Sequence, residues 1–219
     1  MDAASTVRDD FRTLIDALLA GDHAAALAET RRLSQTGLPA ETIVTAGLET
    51  AMRQLDDKCT VESFNLLEIM LVGRAVSAVV RELYPEGVPP DKSRGTLIVA
   101  TLEGDVHDLG KNIVKMVLIG KGYRVVDLGR DCPVATLVAA TAREAASGLL
   151  ISGLISSIVP QVRRVRPALR THGLGSVWVV AGGAALKQFV ATDLDVDYVA
   201  ENAFDGARYI ELRFANAVP

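Results

Sequence analysis

From Thr96 onward the chain alternates short apolar runs with helical stretches five times in succession, and no other feature limits its fold so tightly. The runs predict strands over Thr96–Thr101, Arg124–Leu128, Gly148–Ser152, Val177–Ala181 and Tyr198–Val199. Helices are predicted between them, near Leu109–Ile119, Val134–Ala145, Ser157–Thr171, Ala184–Ala191 and Phe204–Phe214. Strands that are apolar almost throughout have no face left for water, so both faces of their sheet are covered. Strict alternation of strand and helix makes that sheet parallel. In open sheets of this kind ligands bind beyond the carboxyl ends of the strands, so function is sought there.

Residues 1 to about 84 follow a different grammar and read as helices alone. Val7 to Ala20 spaces Phe11, Leu14, Ile15, Leu18 and Leu19 at helical intervals, and Gly21-Asp22 restarts the chain. His23 to Leu33 is a second helix, ended by Thr36-Gly37-Leu38-Pro39. Pro39 suits the first turn of a third helix, where its missing N–H has no partner to lose. That helix runs through Ile43, Val44, Leu48, Met52 and Leu55, and a fourth runs from Val61 to Leu83 past Phe64, Leu67, Leu71, Ala75 and Val79. Short connections between four such helices predict a bundle. Tyr84 to Arg94 holds three of the eight prolines and reads as a linker. The expected architecture is α + α/β, with a four-helix bundle over residues 1–88. A doubly wound five-stranded parallel sheet, Rossmann or flavodoxin-like, follows over residues 89–219.

Composition excludes several classes of function. A net charge of −4 argues against non-specific nucleic-acid binding, which replaces counterions with basic side chains. Cys59 and Cys132 are far apart, which fits neither a disulfide framework nor a zinc knuckle. No apolar run approaches the ~18 residues that span a bilayer, and Met-Asp-Ala-Ala-Ser-Thr lacks a secretory signal. Neither nucleic acid nor membrane is expected as a partner, and a cytoplasmic location is.

The first strand leads into Glu103-Gly104-Asp105-Val106-His107-Asp108-Leu109-Gly110-Lys111-Asn112, a polar loop holding one of three histidines. Asp105 and His107 are two apart and share one side of an extended loop. Asp105 can accept from one imidazole nitrogen and leave the other free to ligate, since a carboxylate behind a histidine fixes its tautomer. Gly110 lets the backbone approach something bulky. On these residues alone three other readings stay open: an acidic phosphoacceptor loop, a glycine cradle for phosphate, and an ordinary surface histidine.

Ser152-Gly153-Leu154 closes the third strand and Gly182-Gly183 the fourth. Together with the loop they spell DxHxxG, 41 residues, SxL, 27 residues, GG. The run Ala100 to Val114 resembles the cobalamin-binding domain of cobalamin-dependent methionine synthases, and Val126-Asp127-Leu128-Gly129 and Ser152-Gly153-Leu154-Ile155 extend the likeness. The resemblance implies that cobalamin binds base-off, with His107 as lower axial cobalt ligand and Asp105 behind it. Gly104, Val106, Asp108 and Gly110 then lie at the cofactor. Ser152 bonds the buried nucleotide base, Leu154 lies beside it, and Gly182 and Gly183 leave room for the tail. Ser156 and Ala203 fall where the methionine synthases make further contacts.

The helical half is similar to the cap of small corrinoid proteins from methyltransferase systems, whose last helix resembles Ile69 to Val76. There Leu67, Met70 and Leu71 would shield the methyl-bearing face, and the linker would act as a hinge. The implied function is a methyl carrier, not catalytic alone, cycling between cob(I)alamin and methylcobalamin. Its implied partners are a substrate:corrinoid methyltransferase, a second methyltransferase using tetrahydrofolate or coenzyme M, and a reductive activase. The alternative is an adenosylcobalamin-binding sensor or a cobalamin storage module. The chain departs from the pattern at Leu55-Asp56, Cys59 and Leu66-Leu67-Glu68 in the cap, where a Val-Gly, a Phe and a Leu-Pro-Glu are usual, and at Ile158. Cys59 replaces a cap Phe as a small buried residue, and Ile158 replaces the serine that completes a His–Asp–Ser relay, which predicts a relay truncated to His107–Asp105.

Overall fold

The structure, a computed structural model, describes residues 11–58 and 65–216. The expected helix start at Val7, the Cys59 substitution and the Val61–Phe64 opening of the fourth helix lie outside the described residues. The chain forms two compact units, Met1–Arg94 with Met116–Tyr123, and Gly95–Lys115 with Arg124–Pro219.

In the first unit, helix α1 (Arg12–Leu19) buries Leu14, Ile15, Ala17 and Leu18. Helix α2 (His23–Gln35) starts at Asp22, whose carboxylate accepts from the amides of Ala24 and Ala25, two donors the helix itself cannot satisfy. Pro39 stands one place ahead of α3 (Ala40–Ile43), with ψ 146°, so it caps this helix rather than sitting in its first turn. The third predicted helix is also not uniform. A π-turn at Val44–Leu48 separates α3 from α4 (Glu49–Lys58). Within that turn Gly47 lies so close to α1 that a Cβ there would come 2.8 Å from Leu14 Cδ2. Helix α5 (Leu66–Leu83) is capped by Asn65, which accepts from the Glu68 amide at 3.2 Å. It buries Ile69, Val72, Gly73, Val76, Val79 and Val80 on one face. Each aliphatic side chain so buried is worth about 1.5–3 kcal/mol. The end of the predicted linker is fastened within this unit. Lys92 pairs with Glu41 at 2.6 Å, the Arg94 amide bonds the Gly122 carbonyl at 3.0 Å, and the Arg94 guanidinium lies over the Tyr123 ring.

The second unit is a parallel sheet of β1 (Thr96–Thr101), β2 (Arg124–Asp127), β3 (Gly148–Ser152), β4 (Trp178–Gly182) and β5 (Tyr198–Ala200), in the order β2-β1-β3-β4-β5. Its crossovers hold α6 (Leu109–Gly120), α7 (Val134–Arg143), α8 (Val159–Thr171) and α9 (Ala191–Leu194), and α10 (Ala203–Ala215) follows β5. Strand β1 is buried throughout, as its unbroken apolar run predicts. The helix predicted over Ala184–Ala191 does not form. A 3₁₀ turn at Leu186–Gln188 and the single-turn α9 replace it, with extended backbone at Phe189 between them. The tight turn lets Leu186, fully buried, fill the space against Gly153.

Two features of this sheet position a site. Strand order reverses between β1 and β3, so the loops after those strands diverge and leave a crevice at their carboxyl ends. Register then aligns Thr101 with Ser152, Ser152 with Gly182 and Gly182 with Ala200, one row of residues along that edge.

Candidate cofactor site at the carboxyl edge of the sheet

The chain beyond β1 stays paired with the segment that follows β2. Thr101 donates its amide to Gly129 O at 3.0 Å, Cys132 donates to Thr101 O at 3.0 Å, and Glu103 donates to Cys132 O at 2.9 Å. Asp131 adds a side-chain bond, its Oδ1 accepting from the Gly104 amide at 2.8 Å. Its own amide donates to Asp105 O at 3.0 Å. The Thr101 hydroxyl donates to His107 O at 3.1 Å, which closes the loop on itself.

Asp105 is fully buried, and its two oxygens divide the work. Oδ1 accepts from the His107 amide at 2.9 Å and lies 2.7 Å from His107 Nδ1. Oδ2 accepts from the amides of Leu154 at 2.7 Å and Ile155 at 3.4 Å, just past β3. Burial by itself pushes this carboxyl up. The amides of His107 and Leu154, the His107 ring and the Ile155 amide outweigh it and hold the group below the ordinary aspartate range. An ionised Asp105 is an acceptor only, so the proton between the two groups sits on Nδ1 and Nε2 is the ring nitrogen that Asp105 does not engage. The His107 side chain is 49% exposed, with its outer edge accessible.

The expected third member of a relay is absent at Ile158, which is fully buried under Gly153. Backbone amides of Leu154 and Ile155 occupy the second carboxylate oxygen.

Beside this pair the strand ends carry little bulk. A Cβ at Gly110 would come 3.0 Å from Ser152 Oγ, so the absence of a side chain there keeps the serine hydroxyl clear. Gly183 has φ +99°, and a Cβ on it would overlap the carbonyl of Gly153. The loops after β3 and β4 meet backbone to backbone, with the Gly153 amide on Gly182 O at 2.9 Å. Val106 and Leu154 stand out of this polar framework, 57% and 49% exposed, and form an apolar fringe near His107.

The structure thus gathers Gly104, Asp105, Val106, His107, Asp108, Gly110, Ser152, Leu154, Gly182 and Gly183 along one edge of the second unit. Ser156 follows in an exposed 3₁₀ turn, and Ala203 opens α10 beyond β5. Leu67, Met70 and Leu71 belong to the first unit, where they are exposed on α5.

Two contributors were not singled out by sequence. Asp131 carried no signal beyond its place next to Cys132. Asp127, at the end of β2, binds Lys111 Nζ at 2.7 Å, Lys115 Nζ at 2.9 Å and the Gly129 amide at 2.9 Å, tying the start of α6 to the sheet. Burial raises the Asp127 carboxyl, and the two ammonium groups with the Gly129 amide more than reverse the effect. Cys132 is buried, which pushes its thiol up and leaves it unreactive, as a loop residue.

Among the described residues no group of three or more His, Cys, Asp or Glu side chains could hold a metal ion. Protein-built metal centres need three or four such donors. A single oriented imidazole beside an apolar fringe and small strand-end residues fits a metal whose other ligands arrive with it, as in a macrocycle.

Residues 95–207 match the family described as the B12 binding domain. A dimethylamine corrinoid protein of Methanosarcina mazei is 33% identical over 203 residues, which cover 91% of this chain and 94% of that one. A monomethylamine corrinoid protein of the same organism is 28% identical over 205 residues, 90% and 94% of the two chains. Among solved structures, the methanol:cobalamin methyltransferase complex MtaBC of Methanosarcina barkeri matches with a TM-score of 0.80 at 24% identity, over 95% of this chain and 81% of that one. A cobalamin-binding protein of Desulfitobacterium hafniense matches with a TM-score of 0.73 at 23% identity, over 95% and 98%. At these identities the two structures attest the shared fold.

Proposed function

Since the chain belongs to the corrinoid proteins built on a B12 binding domain, we propose that it is the methyl carrier of a methyltransferase system. In this role cobalamin would be held base-off, with His107 as the residue that ligates its cobalt. The single observation that carries the assignment is the His107–Asp105 pair, a half-exposed imidazole held at 2.7 Å by a fully buried carboxylate at the β1/β3 crevice. When bound, the corrinoid supplies the cobalt on which the methyl group rides, as cob(I)alamin and methylcobalamin.

The chain's own residues do the rest. Asp105 fixes the imidazole tautomer, presents the Nε2 lone pair and raises its basicity. Gly110, Ser152, Gly182 and Gly183 keep a slot open at the strand ends, with the Ser152 hydroxyl as the polar contact for the nucleotide base. Gly104 and Asp108 shape the turn on either side of the ligand. Val106 and Leu154 give the macrocycle an apolar edge, and Ser156 and Ala203 extend the contact. Leu67, Met70 and Leu71 keep water from the methyl group.

A substrate:corrinoid methyltransferase delivers the methyl group, and a second methyltransferase removes it to tetrahydrofolate or coenzyme M. A reductive activase rescues the oxidised carrier. A methylated amine is the donor class favoured by the dimethylamine and monomethylamine corrinoid relatives. A cytoplasmic location accords with such partners, and among the described residues no helix is long and apolar enough to cross a membrane.

The test is an absorption titration of the protein with hydroxocobalamin and methylcobalamin beside a His107→Ala variant. A base-off spectrum with histidine bound is expected in the wild type and lost in the variant. Failure of both proteins to bind either cobalamin would overturn the assignment.

A further inference from the structure

Asp131 is one of three non-glycine residues with positive φ among the described residues, at φ +53°. That left-handed conformation costs an ordinary side chain energy and is best tolerated by Asn, Asp and Gly. Here it turns both polar groups of one residue onto the histidine loop. The side chain accepts from the Gly104 amide at 2.8 Å, and the Asp131 amide reaches Asp105 O at 3.0 Å. Gly104 itself has φ +96°, a conformation a free loop would readily leave, and a Cβ there would meet nothing within 4 Å. No atom lies within 4 Å of where a Cβ on Gly104 would stand, so the bond from its amide to Asp131 ties this residue to the segment after β2. Asp105 and His107 follow within three residues, and Asp105 orients the His107 ring.

We propose that Asp131 is a positioning residue for the axial histidine, clipping Gly104 and Asp105 so that His107 is aimed before any ligand arrives. This rests on the assignment of His107 as the cobalt ligand. Asp131 acts through the loop backbone, by its bonds to Gly104 and Asp105. Orientation set in advance spares binding the cost of ordering the loop. Losing one such hydrogen bond should weaken binding about threefold to tenfold.

Three proteins separate the causes. Asp131→Asn keeps the acceptor and the tolerance for positive φ. Asp131→Gly keeps the backbone conformation and removes the acceptor. Each is loaded with hydroxocobalamin, reduced to the cob(II)alamin form, and examined by electron paramagnetic resonance in protein labelled with ¹⁵N-histidine. A protein imidazole then splits the cobalt signal into doublets, whereas the cofactor's own ¹⁴N base gives triplets. Wild type and Asp131→Asn should show doublets and equal affinity within twofold. Asp131→Gly should bind about threefold to tenfold more weakly, with a reduced doublet fraction.

Full doublets and unchanged affinity in Asp131→Gly would overturn the positioning role and leave the ligand assignment intact. Asp131→Asn resembling the glycine variant would overturn it also, since charge rather than the acceptor would then be acting. A wild type without doublets would overturn the ligand assignment and the positioning role together. Should Asp131→Gly fail to fold by circular dichroism, amide exchange at Gly104 in the wild type decides. Protection supports the clip, and exchange at the rate of an open loop overturns it.

Discussion

Two of the regions in which apolar side chains are exposed rest on different foundations. Around His107, Val106 and Leu154 project from backbone tied down by hydrogen bonds: the Leu154 amide serves Asp105, and the Val106 carbonyl takes Arg130 Nη1 at 3.4 Å. On α5, Leu67, Met70 and Leu71 are 66%, 50% and 41% exposed on a helix start secured by the Asn65 cap and by the packing of its opposite face. The first region holds its groups through hydrogen bonds of 2.7 to 3.4 Å, the kind of support that the proposed role of His107 requires. The second presents an apolar surface and leaves its details open. Orientation of a side chain is therefore written in hydrogen bonds, and an apolar face in side-chain bulk.

Substitutions can break that contrast, and they should do so unequally. The largest effect is expected from Asp105→Asn. An amide NH₂ would face donors in place of a carboxylate oxygen and leave buried N–H groups without acceptors. Stability should fall by about 2–3 kcal/mol and cobalamin affinity by about 10–100-fold, read from urea unfolding and the absorption titration. A change confined to affinity would mean that the network is looser than its distances imply.

Gly183→Val comes next, because a side chain there meets the Gly153 carbonyl at a positive φ. A loss of about 1–3 kcal/mol is expected, with the two loops forced apart. Equal thermal midpoints for variant and wild type would show that the strand ends yield easily.

Asp127→Asn is smaller and pH-dependent. The folded Asp127 carboxyl lies below its unfolded value of about 3.9, so its contribution is full above about pH 4. It fades as pH falls through the lower folded value. The variant should therefore be less stable by about 1–2 kcal/mol at pH 7 and should lose less on acidification. Urea midpoints at pH 7, 5, 4 and 3 check this, and parallel acid losses would rule it out. The smallest change belongs to Met70→Ser, which should alter stability by no more than about 0.5 kcal/mol, since an exposed side chain away from caps and core has little to lose. A drop of several kcal/mol would mean that this face is already covered in the free protein.

The two regions also differed in how far sequence could reach them. Short apolar runs place all five strands within a residue or two of where they form, most plainly β1, which is buried along its whole length and has no competing pattern. His107 and Asp105 were found together because their partnership is local, two residues apart. The amides of Leu154 and Ile155 lie 49 and 50 residues from Asp105, and backbone groups carry no residue-type signal. Asp131 lies 27 residues from Gly104, and its role follows from a left-handed φ that its neighbours do not dictate. The stretch after Gly183 read as a helix because Ala, Leu, Lys and Gln favour one. The need to bring Leu186 under Gly153 prevailed over that propensity.

The split allegiance of Asp105 has a mechanical consequence. One oxygen belongs to the loop after β1 and the other to the loop after β3, the two strands that part company at the reversal of strand order. A single carboxylate rivets the crevice across its mouth. Whatever wedges between those loops pulls on the rivet, and the imidazole hangs from the same head. Spreading the two loops would load the Asp105–His107 bond directly, because both loops hold the same carboxylate.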